Sequence, residues 1–162
     1  MNLKGNYLKM ITPVAIYWIF PILLISTVSY VVKGTFPWIL VFSILIYGLL
    51  EEIGWRGFLY QHLKTLPLFQ NILIVSSLWF LWHLNLEFSS SNLFFYGIIV
   101  LGTWGIGKVA DSTNSLIAVS AFHSLNNFFP NLDSIKILIL TTLIVVWIIG
   151  LLIKKRTKKS ID

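Results

Sequence analysis

Apolar residues in this chain fall into six long runs, at roughly 11–32, 37–60, 69–86, 93–110, 114–129 and 135–153. Between them lie turn-forming or polar breaks: Lys33-Gly34, Thr65-Leu66-Pro67, Ser89-Ser90-Ser91-Asn92, Asp111-Ser112-Thr113-Asn114 and Pro130-Asn131. A helix needs about 20 mostly apolar residues to cross a bilayer core. The pattern therefore predicts an all-α, polytopic transmembrane helix bundle of about six spans. The second run is long because it carries Glu51, Glu52 and Arg56 and then continues through 57–63 to an interfacial end. The fifth is short and holds His123, Asn126 and Asn127, so neighbouring helices must shield it from lipid. The first run is too long for the apolar core of a signal peptide and has no small-residue cleavage site. With no internal repeat and no room for a second unit, residues 1–162 are expected to form one domain.

Composition strengthens the membrane reading. Hydrophobic residues make up 57% of the chain and charged residues only 11%, where a soluble domain carries about 25% charged residues. There is no Cys, which removes disulfides, iron–sulfur clusters and thiolate metal sites. The net charge of +6 does not point to nucleic acid. Lys154, Lys155, Arg156, Lys158 and Lys159 sit in the 154–162 tail after the last apolar run, the pattern of a basic cytoplasmic membrane flank. An even number of spans places Lys4, Lys9, Lys64, Lys108 and this tail on one side, leaving only Lys33 and Lys136 on the other. The expectation is a multi-pass cell-membrane protein with both termini cytoplasmic. Trp18, Trp38, Trp104 and Trp147 are candidate interface anchors or packing residues.

Polar groups inside these spans need a reason, since a charge at mid-membrane costs about 2.5–3.5 kcal/mol on insertion scales. Glu52 and Arg56 are four apart, share a helix face and can pair. Glu51 is rotated by about 100° from Glu52 and points to another neighbour. His83 follows the aromatic stretch Trp79-Phe80-Leu81-Trp82. His123 and Asn127 stand one turn apart on one face. Each group has a bland alternative: a buried structural ion cluster, a satisfied interior histidine, an interhelical hydrogen-bond pair. Asn85, Asn126 and His62 are weaker candidates, and Asn126 sits off the His123–Asn127 face. Together, a carboxylate, two imidazoles and an amide on three helices make a parts list for hydrolysis of an amide by activated water. No serine stands in a nucleophile setting, so a covalent route is disfavoured.

The runs Glu51-Glu52-Ile53-Gly54-Trp55-Arg56, Leu81-Trp82-His83-Leu84 and His123-Ser124-Leu125-Asn126-Asn127 resemble the successive motifs of the CPBP family. That family comprises CAAX-type prenyl endopeptidases and bacteriocin self-immunity (Abi) proteins, with the pattern EExxxR, FxxxH and HxxxN on separate transmembrane helices. The resemblance spans roughly residues 40–130. It implies an intramembrane endopeptidase acting on membrane-associated peptides or proteins, prenylated or bacteriocin-related. Glu51 and His83 would activate water, His123 and Asn127 would form the oxyanion hole, and Glu52 and Arg56 would support them. One departure is Trp79, which stands where the family has Phe four residues before the second-motif histidine. The resemblance fits a metal-free glutamate mechanism, with no cofactor expected. The alternative is a zinc held by Glu51, His83 and His123, the His₂Glu set of some catalytic zinc sites. On upright helices rising about 1.5 Å per residue, Glu51 falls near the cytoplasmic side, His83 near the outer side and His123 between them. The site then assembles only through tilt or an offset third span. Two competing functions use the same bundle: a non-proteolytic immunity or scaffold protein, and a small transporter or channel, which the lack of an inverted repeat or paired broken helices disfavours.

Overall fold

The computed structural model describes residues 1–84, 86–128 and 134–159, the side chains from 150 onward excepted. Asn85, the Pro130-Asn131 break and the basic side chains of the 154–162 tail lie outside the described residues. Each of the six apolar runs forms a helix. They are α1 (Tyr7–Lys33), α2 (Trp38–Thr65), α3 (Leu68–Trp82), α4 (Ser90–Thr113), α5 (Leu116–Asn127) and α6 (Ser134–Lys159). Among the described residues β structure is limited to an isolated bridge between Asn2 and Ser115. The polar breaks act as caps. The Ser89 hydroxyl accepts from the Asn92 N–H at 3.2 Å and the Ser115 hydroxyl from the Ala118 N–H at 3.2 Å, filling donors that a helix start leaves open. Asn114, at φ 54°, ends α4 in the left-handed region.

Among the described residues three helices, α1, α2 and α4, are long and apolar enough to cross a membrane, with 27, 28 and 24 residues. Many of their large apolar side chains face outward; Ile39, for example, is 88% exposed. Apolar surface on this scale belongs against lipid rather than water, and the molecule is an all-α bundle of membrane type. By contrast, α3 has 15 residues and α5 has 12. At about 1.5 Å per residue they extend roughly 22 and 18 Å, well short of the roughly 30 Å hydrocarbon layer.

The shortness of α5 is compensated by burial. Eight of its residues, Leu116, Ala118, Val119, Ser120, Ala121, His123, Ser124 and Leu125, are buried, and it packs against α1, α2 and α4. Small side chains allow those neighbours to approach closely. The tightest point is Gly48 on α2, where an added Cβ would lie 2.9 Å from Ser124 Oγ and 3.4 Å from the Ser120 carbonyl. The start of α5 is closed by the N-terminal segment. The Asn2 carbonyl accepts from the Leu116 N–H at 2.9 Å, and the Leu3 carbonyl from the Ile117 N–H at 3.1 Å. Orphan donors that would be costly in an apolar setting are thereby satisfied.

Both long N-terminal helices contain a stretch of wider π-type turns, Ala15–Ile19 in α1 and Ile53–Leu59 in α2. Such turns often mark functional positions, and the second begins directly after Glu52. The first carries Tyr17, whose ring meets Phe122 of α5 edge-on at 4.5 Å. Trp18 is buried and stacks on Phe128 at 5.6 Å, so it is a packing residue. Trp38 and Trp104 are about half exposed, as interface anchors are. Gly48→Val should force α5 off α2 at the turn that carries His123, at a cost of about 1–3 kcal/mol, the usual range for overpacking. Thermal unfolding of the detergent-solubilised protein checks this, and an unchanged midpoint would contradict the close α2–α5 contact.

Candidate active site

A charged network lies at the centre of the bundle. The side chains of Glu52 and Arg56 are both 0% exposed, and Arg56 Nη1 donates to Glu52 Oε1 at 2.8 Å. The same carboxylate oxygen lies 2.6 Å from His123 Nδ1. Arg56 Nη2 donates to Thr103 Oγ1 on α4 at 3.4 Å, and the guanidinium carbon sits 4.6 Å from the centre of the Trp79 ring on α3. One ion pair therefore gathers α2, α3, α4 and α5. Removing two charges from water costs several kcal/mol per ion even after relaxation. Here the cost is offset by mutual attraction, hydrogen bonds and a cation–π contact. Glu52 Oε2 and Arg56 Nε have no hydrogen-bond partner among the described residues.

Glu51 and Glu52 diverge, as the 100° helical rotation requires. Glu52 turns into the packed interior, while Glu51, 12% exposed, faces a cavity of about 730 Å³. Its Oε2 stands 3.6 Å from His123 Nε2. His123 thus lies between two carboxylates, with Nδ1 on Glu52 and Nε2 towards Glu51.

Glu51, His83, His123 and Asn127 all line that one cavity. His83 does not lie within a span, as the run 69–86 suggested: α3 ends at Trp82 and His83 is its C-terminal cap. The following residue, Leu84, takes φ 55°, the left-handed conformation that can close a helix. His83 Nδ1 lies 2.7 Å from the Trp79 carbonyl. A carbonyl only accepts, so Nδ1 carries the proton and Nε2 of the neutral ring is left with its lone pair. The difference in depth expected along upright helices does not keep the residues apart. Glu51 sits midway along the 28-residue α2, and α3 is short, so its end reaches the same cavity. The Trp79 ring spans the gap, 6.0 Å from the His83 ring and 5.1 Å from that of His123.

Two residues carry more than the sequence indicated. Asn126, placed off the His123–Asn127 face, also lines the cavity. Trp79 is not only an aromatic filler beside His83, since it touches Arg56 and both histidines. The Glu52–Arg56 contact, in contrast, follows directly from the four-residue spacing. For the zinc alternative of Glu51, His83 and His123, no three His, Cys, Asp or Glu side chains among the described residues are grouped to hold a metal ion. His123 Nδ1 is engaged with Glu52 and His83 Nδ1 with a carbonyl, which leaves Nε2 as the remaining ring nitrogen of each.

The bundle thus holds a charged network beneath a cavity with both polar and apolar lining, and the family comparison bears on the same part of the chain. The family model described as "Type II CAAX prenyl endopeptidase Rce1-like" matches residues 33–129, more than half of the chain. The chain belongs to this family of membrane peptidases. No curated protein and no solved structure matches it.

Arg56→Met leaves Glu52 buried without its counter-ion and should cost about 3–5 kcal/mol of stability. The double substitution Glu52→Gln with Arg56→Met should cost clearly less than the sum of the two single changes. Equilibrium unfolding in mixed detergent measures the cycle, and strict additivity would show that the pair is not coupled.

Proposed function

We propose that this chain is a multi-pass intramembrane endopeptidase that hydrolyses peptide bonds of membrane-associated substrates of the CAAX type. Glu51 and His83 activate a water molecule in the cavity. Glu51 takes a proton from the attacking water, Nε2 of His83 orients that water by accepting a hydrogen bond, and the proton held by Glu51 passes to the leaving amine as the C–N bond breaks. His123 and Asn127 stabilise the oxyanion of the tetrahedral intermediate. His123 donates to Glu52 through Nδ1 and, in its doubly protonated form, to the oxyanion through Nε2. Glu52 and Arg56 touch no substrate; they fix the orientation of the His123 ring, and Trp79 holds the guanidinium from the other side. The single observation that carries this reading is that Glu51, His83, His123 and Asn127, from three separate parts of the sequence, line one cavity of about 730 Å³.

The topology proposed with it places both termini, and the basic tail at 154–162, in the cytoplasm, with the whole chain acting as one domain. A substrate then reaches the cavity from within the bilayer or its surface, where an anchored peptide is already concentrated.

Cleavage of farnesylated and unmodified hydrophobic peptides by protein reconstituted in liposomes tests the proposal. Glu51→Gln or His83→Ala should lower the rate by at least about 10²-fold, and Asn127→Ala by about 10²–10³-fold. Absence of cleavage by the wild type, with binding of a membrane peptide unaffected by these substitutions, would favour the non-proteolytic immunity or scaffold reading instead.

A further inference from the structure

The cavity has two unlike walls. Glu51, His123 and Asn127 form a polar side, while Phe95, Ile98, Ile99 and Gly102 of α4 form an apolar one. The α4 residues stand at intervals of three, one and three, which keeps them on one helix face. Three are large. At the fourth, Gly102, an added Cβ would meet only the Trp79 indole within 4 Å, at 4.0 Å, an ordinary van der Waals contact. The wall therefore has a notch.

The depth of that notch follows from its neighbours. Thr103, the next residue, accepts from Arg56 Nη2 at 3.4 Å. Trp79, which borders the notch, has its ring 5.1 Å from that of His123. Gly102 thus lies level with the Glu52–Arg56–His123 network, while Ile98, Ile99 and Phe95 carry the apolar wall a turn or two further along α4.

We propose that Gly102 is a specificity-determining residue. The space in front of it receives an apolar side chain of the substrate beside the scissile bond, and the missing Cβ sets the largest side chain admitted. This rests on the protease reading above. A peptide chain fits with its carbonyl towards His123 and Asn127 and an adjacent side chain in the notch, against Trp79. Hydrophobic pockets discriminate by size, at about 10–200-fold per methylene, so a methyl group placed in the notch is enough to read.

The experiment uses the full chain in liposomes and a quenched farnesylated peptide whose cleaved bond has been mapped with the wild type. Two peptide series vary one residue, on one or the other side of that bond, through Ala, Val, Leu and Phe. Gly102→Ala does not endanger folding, because Ala favours a helix more than Gly does. In one series, Gly102→Ala should lower kcat/KM for the Leu and Phe peptides by about tenfold or more while the Ala peptide is nearly unaffected. Gly102→Val should extend the loss to the Val peptide. A uniform loss across both series, or no change in either, would overturn the assignment of Gly102 and leave the protease reading intact. If the wild type cleaves no peptide and behaves like Glu51→Gln, the protease reading fails, and this inference with it.

Discussion

The ion pair between Glu52 and Arg56 is the constraint on which the interior depends. Two charges with no solvent exposure cannot remain in an apolar bundle unless almost every group around them helps to hold them. The response comes from four helices. The pair itself is local to α2, His123 of α5 takes a share of the same carboxylate oxygen, Thr103 of α4 accepts from the guanidinium, and Trp79 of α3 covers it. Displacing any of these helices would expose or strand a charge. The network thus fixes the mutual positions of α2, α3, α4 and α5 more sharply than apolar packing alone, since lipid competes for apolar surfaces as readily as a neighbouring helix does.

That constraint explains the unequal helix lengths. The short α5 is mostly buried and presents His123 to the network from the middle of the bundle. The short α3 ends where Trp79 and His83 meet the cavity. Side chains far apart in the sequence then line one space, with the supporting carboxylate behind the histidine and a second carboxylate in front of it. A packed layer of hydrogen-bonded charges beneath the proposed reacting groups suits precise positioning in a low-dielectric site.

Much of this was legible from the chain alone. The six helices follow from the apolar runs and the polar breaks, because caps such as Ser89 and Ser115 are chemically required at helix starts. The Glu52–Arg56 contact follows from a spacing of four. The common depth of the site residues was not legible. Apolar runs of similar length suggest similar spans, and nothing in 69–86 marks the stop at Trp82 that turns His83 into a cap. The cavity position of Asn126 and the bridging role of Trp79 were equally hidden, since both depend on how three helices meet rather than on the periodicity of any one. The model match over residues 33–129 covers α2 to α5, the part of the chain that builds the network.

In the proposed reaction, water held in the cavity attacks the peptide bond directly, without a covalent intermediate on Glu51. A single-turnover reaction of reconstituted protein in ¹⁸O-labelled water, followed by mass spectrometry of both product and protein, separates this route from a covalent one. Direct attack places one ¹⁸O in the new carboxyl terminus and none in the Glu51 side chain. Label in Glu51, or an acyl adduct on the protein, would contradict it.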